Sequence, residues 1–144
     1  MSYIPEPLRQ QVVGRAQGRC EYCLLHEDQT YFTHEIDHIY AEKHSGATAE
    51  GNLCLACAEC NRYKGSDLCS LDADTGTVVT LYHPRRERWG EHFRLAATGV
   101  IEPLTANGRV TARLLRFNRL DLIADRARLI VLGEYAGLGG GVSA

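Results

Sequence analysis

Cys57-Ala58-Glu59-Cys60-Asn61-Arg62-Tyr63-Lys64-Gly65 decides how the rest of the chain is read. The stretch predicts a helix over 57–64, with Gly65 as its C-terminal stop. Cys57, Cys60, Asn61 and Lys64 fall at i, i+3, i+4 and i+7, so one helical stripe carries two thiols, an amide and a cation. Two thiolates separated by two residues reach one tetrahedral ion at about 2.3 Å. Upstream, Cys20-x-x-Cys23 supplies a second such pair, and 33 residues separate the pairs. That interval is longer than a compact zinc ribbon needs, so something is folded between the two halves of the site. Four thiolates leave no open position, and the expected Zn²⁺ is structural. Cys54-x-x-Cys57 is also a legal pair, but Cys54 sits in the apolar run Leu53-Cys54-Leu55-Ala56 and reads as a small buried hydrophobe. Cys69 has no partner nearby and is expected to be structural too.

Between the pairs lies His34-Glu35-Ile36-Asp37-His38-Ile39, inside a strand predicted over 31–39. A loop over 42–51 follows, and then a second strand over 52–56. The order is strand, loop, strand, helix. Closing a zinc site on the two cysteine pairs is expected to bring this segment, with Asp37 and His38, near Asn52 and Asn61. Asp37 and Asn61 offer hard oxygens of the kind that Mg²⁺ accepts while keeping several waters. His38 has an unperturbed pKa of about 6.5, suited to taking a proton from water near neutral pH. Base plus metal is a workable site for phosphodiester hydrolysis. Neighbours on a regular strand face opposite ways, so Asp37 and His38 converge only if the strand ends or twists there. Lys64 is expected to meet a phosphate. His34 is expected to be a half-exposed bystander.

These residues resemble the HNH endonucleases of the ββα-metal fold. The resemblance rests on Cys20-x-x-Cys23, Glu35-Ile36-Asp37-His38-Ile39, Ser45-Gly46, Asn52-Leu53 and Cys57-x-x-Cys60-Asn61-x-x-Lys64-Gly65, across residues 20–65. It implies that His38 is the general base, that Asp37 and Asn61 hold the catalytic divalent metal, and that Asn52 pins the loop and helps orient the histidine. It also implies a structural zinc on Cys20, Cys23, Cys57 and Cys60, with DNA as the substrate. Cleavage would leave 3′-hydroxyl and 5′-phosphate ends. The last histidine of the family name is Asn61 here, which keeps an oxygen ligand, and Ala41 stands near the position where many members have proline.

The flanks fill in the architecture. Leu8, Val12 and Ala16 fall on one face of a helix begun near Pro7 and ended near Gly18. Residues 66–75 read as a polar connection and 77–82 as a strand ended by Pro84, with weaker strands at 92–96 and 99–101. Helices are expected over 107–117 and 119–132, then a glycine-rich tail over 137–144. The expected fold class is α+β: one domain spanning 1–144, with a zinc-stabilised ββα-metal core over 20–65 and a C-terminal extension over 66–136.

The 144 residues carry a net charge of −2, which does not announce a nucleic-acid binder. The distribution is uneven: residues 77–144 hold six acids against ten arginines. Arg85, Arg86 and Arg88 beside Trp89 are candidates for backbone contacts, and Arg113, Arg116 and Arg119 read equally well as the wet side of a helix. No apolar run reaches the ~18 to 20 residues of a membrane span, and residues 1–7 lack a secretory pattern, so a cytoplasmic protein without a membrane partner is expected. A cytosolic setting favours metal ligation over disulfides. Two other classes compete with a DNA endonuclease: a non-catalytic, zinc-stabilised module that binds nucleic acid or protein, and a C-x-x-C redox protein. The second is disfavoured because no thioredoxin-like βαβ pattern is present. RNA is not excluded as substrate.

Overall fold

The computed structural model describes residues 3–135. The fold is α+β, and the chain divides into two compact units, Met1–Asp67 with His83–Arg86 and Leu68–Tyr82 with Glu87–Ala144. The sequence reading treats 1–144 as one domain and does not distinguish these units.

In the first unit α1 (Glu6–Ala16) has proline in its first turn and closes on Gln17 in the left-handed region. Its buried Val12 and Ala16 pack against Leu53 and Leu55 of β2 (Leu53–Ala56), with Leu8, Val13 and Ile36 partly buried around them. Fully burying a leucine or valine contributes roughly 1.5–3 kcal/mol, so this cluster ties the helix to the sheet. β1 (Glu35–His38) pairs antiparallel with β2, Asp37 opposite Cys54 and His38 opposite Leu53. Alternation along β1 gives Ile36 to the α1 side, while Glu35 and Asp37 reach residues of α2 (Ala58–Lys64). The strand expected over 31–39 survives only over its last part: Tyr31 and Phe32 lie in solvent with no partner strand to hold them extended. The loop expected over 42–51 contains two short 3₁₀ turns, Glu42–His44 and Glu50–Asn52. Cys57 caps α2, its sulfur accepting from the Cys60 N–H, and Gly65 ends the helix at φ 54°.

In the second unit β3 (Cys69–Asp72) and β4 (Thr77–Thr80) form an antiparallel hairpin. Residues 66–75 were expected to be a connection. The correction is that β4 supplies ladder partners for β3, a tertiary effect that polar composition does not signal. Cys69, expected to be structural, is exposed on this hairpin. A single turn α3 (Trp89–His92) leads into β5 (Phe93–Leu95), which pairs with β6 (Ile101–Pro103), and α4 (Ala106–Leu114) and α5 (Leu120–Val131) follow. Tyr82, Phe93, Leu95, Ile101, Val110, Leu115 and Phe117 are buried, and the Phe93 and Phe117 rings sit 5.5 Å apart. Arg126 is buried as well, and its guanidinium donates to the Gly99 and Phe117 carbonyls at 2.6 and 2.7 Å. The expected glycine-rich tail lies outside the described residues. No described helix is long and apolar enough to cross a membrane.

Candidate metal centre and active site

Cys20, Cys23, Cys57 and Cys60 are buried, and their sulfurs all lie within 4.8 Å of one another. The Cys23 and Cys57 sulfurs are 3.7 Å apart, close to the edge of about 3.8 Å that a tetrahedron with 2.3 Å Zn–S bonds requires. In each pair the second cysteine's N–H points at the first one's sulfur at 3.4 Å, which favours thiolate character. The protonation pattern is uneven. Contacts from Cys20, Cys23 and Cys60 pull the Cys57 thiol far down. Burial pushes Cys20 up, and the neighbouring sulfurs, Cys20 first, push Cys60 up. A dication at the centre of the cluster would favour deprotonation of its thiols. The four buried cysteines therefore suit zinc. Cys54, fully buried, stands outside the cluster, with its sulfur 3.7 Å from Asp37 Oδ2.

His38 Nε2 is 2.9 Å from Thr48 Oγ1 and 3.9 Å from Glu42 Oε1. The ring is partly exposed, with 14% of its side chain accessible. Immediately after it the chain is gripped by Asn52. The Asn52 Oδ1 accepts from the Tyr40 N–H at 2.9 Å, and its Nδ2 donates to the Tyr40 and Ala47 carbonyls, each at 2.9 Å. One amide thus closes the loop between the strands onto the end of β1. Gly46 is required for the same closure, because a Cβ there would overlap the Tyr40 carbonyl.

Asp37 has different neighbours. Its Oδ2 accepts from Tyr22 Oη at 2.8 Å and lies 3.1 Å from Lys64 Nζ. Lys64 also donates to the His38 carbonyl at 3.3 Å. Burial pushes the Asp37 carboxyl up, partly offset by Lys64 and Tyr22. Lys64, expected to meet a phosphate, is 2% exposed and committed to Asp37. That expectation is corrected: its position on α2 turns the ammonium inward, where an unpaired carboxylate would otherwise be costly. Asn61, on the same helix, is at the surface and donates to Glu35 Oε1 at 2.5 Å. The structure therefore sets Asp37 with Lys64, Tyr22 and Cys54, His38 with Thr48 and Glu42, and Asn61 with Glu35.

The sequence reading did not single out Thr48, Tyr22, Glu42 or Glu35. Glu35 could have been found by parity, since it shares a strand face with Asp37. Thr48 is ten residues from His38, and no local pattern marks it. His34, expected to be half-exposed, is buried, with Nε2 2.7 Å from the Leu25 carbonyl. Of the candidate basic cluster, Arg85 forms a half-buried ion pair with Glu21, and Arg86 lies over the Tyr40 ring, its guanidinium carbon 5.2 Å from the centroid.

The cysteine knuckles and the β1–loop–β2–α2 order lie within the stretch found by a comparison of the sequence: residues 20–67 match the HNH endonuclease family. This segment is an HNH domain. HNH domains form a family of nuclease type. The chain is also 27% identical, over 137 aligned residues, to the Septu protein PtuA of Bacillus mycoides (strain KBAB4). That alignment takes in 78% of this chain, and the chain spans 19% of the relative. No solved structure matches the chain.

Proposed function

We propose that the HNH unit is a metal-dependent endonuclease that hydrolyses DNA phosphodiester bonds, with His38 as general base. The observation that carries this reading is the held imidazole: Thr48 fixes Nε2, and Asn52 fixes the chain two residues further on. With the proton on Nε2 donated to Thr48, Nδ1 accepts the proton of the attacking water. Thr48 and Asn52 are positioning residues in this scheme. Zn²⁺ on the four cysteines is structural in this scheme and joins the Cys20–Cys23 turn around Tyr22 to the start of α2.

The donor chemistry for a second, catalytic divalent ion such as Mg²⁺ is mixed. Asn61 and its neighbour Glu35 present hard oxygens at the surface and suit a hydrated dication. Asp37 suits it only after exchanging Lys64, which now neutralises it. Bound there, such an ion would neutralise the scissile phosphate and the leaving oxygen.

Lys64 over Asp37 also supports a second reading, in which the fold persists as a zinc-stabilised binding module without turnover. Supercoiled plasmid incubated with the zinc-loaded chain in Mg²⁺, Mn²⁺ or Ni²⁺ separates the two. The endonuclease reading expects nicked circles in at least one metal, and expects a weak chelator to stop nicking without changing the far-UV circular dichroism. Intact plasmid in every metal would favour the binding module.

A further inference from the structure

Arg86 is held in a closed circuit of contacts within the first unit, to which the segment His83–Arg86 belongs. Its guanidinium carbon lies 5.2 Å from the Tyr40 centroid, and Nη1 donates to Tyr40 Oη at 3.3 Å. The same ring meets the His83 ring edge to face at 5.0 Å. His83 Nδ1 in turn accepts from the backbone N–H groups of Arg85 and Arg86 at 3.1 and 3.2 Å. Tyr40 is itself fixed from behind, because Asn52 bonds both its N–H and its carbonyl. A long side chain normally gives up rotamer freedom when it binds something. Here the fold has already removed much of that freedom, which is preorganisation.

The holding is done without an acid. Among the described residues the Arg86 guanidinium forms no ion pair, and Tyr40 Oη is the acceptor it meets. Its neighbour Arg85 is spent on Glu21. A ring and a neutral hydroxyl leave the charge of Arg86 intact, with most of its five N–H donors uncommitted. Its place also matters. Tyr40 stands two residues after His38, a span of at most about 7 Å of chain, and phosphates of one DNA strand follow each other about every 3.4 Å along the helix axis. A guanidinium carried on Tyr40 is therefore within a few nucleotides of a phosphate presented to His38.

We infer that Arg86 is a substrate-contacting residue, which grips a backbone phosphate of the DNA strand a few nucleotides from the scissile bond. The inference rests on the hydrolysis reading for which phosphate is meant, while the contact itself needs neither His38 nor a divalent ion. Guanidinium groups pair phosphates in two-pronged geometry and remain charged at any physiological pH. A phosphate contact fixes the register of the strand and carries no base information. Arg86 thus adds affinity and not sequence preference.

The test is fluorescence anisotropy of a labelled 20-base-pair DNA duplex against the zinc-loaded full chain, without added divalent metal, across a salt series, followed by steady-state plasmid nicking. Arg86→Gln is expected to weaken duplex binding about fivefold or more at low salt and to lower the slope of log affinity against log salt by about 1, for the one phosphate that is no longer neutralised. In nicking it is expected to raise KM and to leave kcat within about twofold, because the contact is equal in ground and transition states. Arg86→Lys keeps the charge without the fork, and is expected to retain the wild-type slope with intermediate affinity. Arg9→Gln, which removes an exposed arginine of α1, is expected to keep wild-type affinity. Wild-type affinity and slope in Arg86→Gln would overturn the inference whether or not the protein nicks, as would an equal loss from Arg9→Gln. A fall in kcat with duplex binding unchanged would overturn it too. Duplex binding that depends on Arg86 in a protein that nicks no plasmid would uphold the phosphate contact and remove the hydrolysis reading alone.

Discussion

Lys64 Nζ lies 3.1 Å from an Asp37 carboxylate oxygen, with 2% and 5% of the two side chains exposed. The pair crosses from α2 to β1 and occupies the interior of the HNH unit, where each charge depends on the other. Removing one partner of a buried pair typically costs about 3–5 kcal/mol, because the remaining charge is left without compensation. Lys64→Met is expected to destabilise the unit by an amount of that order in urea denaturation. The double change Asp37→Asn with Lys64→Met is expected to recover much of the loss, since no buried charge remains. Additive losses would show that the two groups do not act as a pair.

The zinc assignment makes a selective prediction among the cysteines. Cys20→Ser or Cys60→Ser is expected to abolish stoichiometric zinc and to collapse the far-UV signal of the HNH unit, because a site assembled from distant segments exists only in the folded chain. Cys54→Ala is expected to retain its zinc, since that sulfur faces Asp37. Metal analysis of the purified variants checks both. Zinc lost in Cys54→Ala but kept in Cys60→Ser would reverse the ligand assignment.

Asp72 gives the second unit a defined acid response. Arg109 holds its carboxyl down at about 2, against about 3.9 for the free side chain. A folded-state pKa below the unfolded value means that the stabilisation is complete above about pH 4 and is lost as pH falls towards 2. Asp72→Asn is expected to be less stable than wild type at pH 6 and to lose less on acidification through that window. Thermal melts between pH 6 and pH 2 measure the difference. Parallel curves would contradict the coupling.

Thr48 Oγ1 lies 2.9 Å from His38 Nε2, the imidazole nitrogen that the proposed mechanism does not use as the base. Thr48→Val removes one hydrogen bond worth about 1 kcal/mol, which corresponds to about fivefold in rate. Nicking is expected to slow by that order with a shifted pH profile and little change in melting temperature. A slower rate with an unaltered pH profile would assign Thr48 to the loop rather than to the ring.

What the sequence made legible follows from how local each signal is. The cysteine knuckles, the Gly65 stop and the α1 stripe of Leu8, Val12 and Ala16 are written in short spacings, and the corresponding elements are present. β3 was not legible, because its partner β4 and not its own composition makes it a strand. The division into two units was equally hidden, since the His83–Arg86 segment returns to the first unit from within the sequence of the second. At the site, the alternation of a regular strand foretold that Asp37 and His38 would have trouble converging, and the structure gives them separate partners. The inward turn of Lys64 could not be read from its place on a stripe, because a stripe sets the face of a helix and not the depth at which its end is buried.

The most direct measurement is the rate of plasmid nicking by His38→Ala whose zinc content and circular dichroism match the wild type. Loss of a positioned general base typically costs about 10²–10⁴-fold, and a fall of at least about a hundredfold is predicted here. A variant that nicks within a few-fold of the wild-type rate would contradict the assignment of His38 and, with it, the proposed mechanism of hydrolysis.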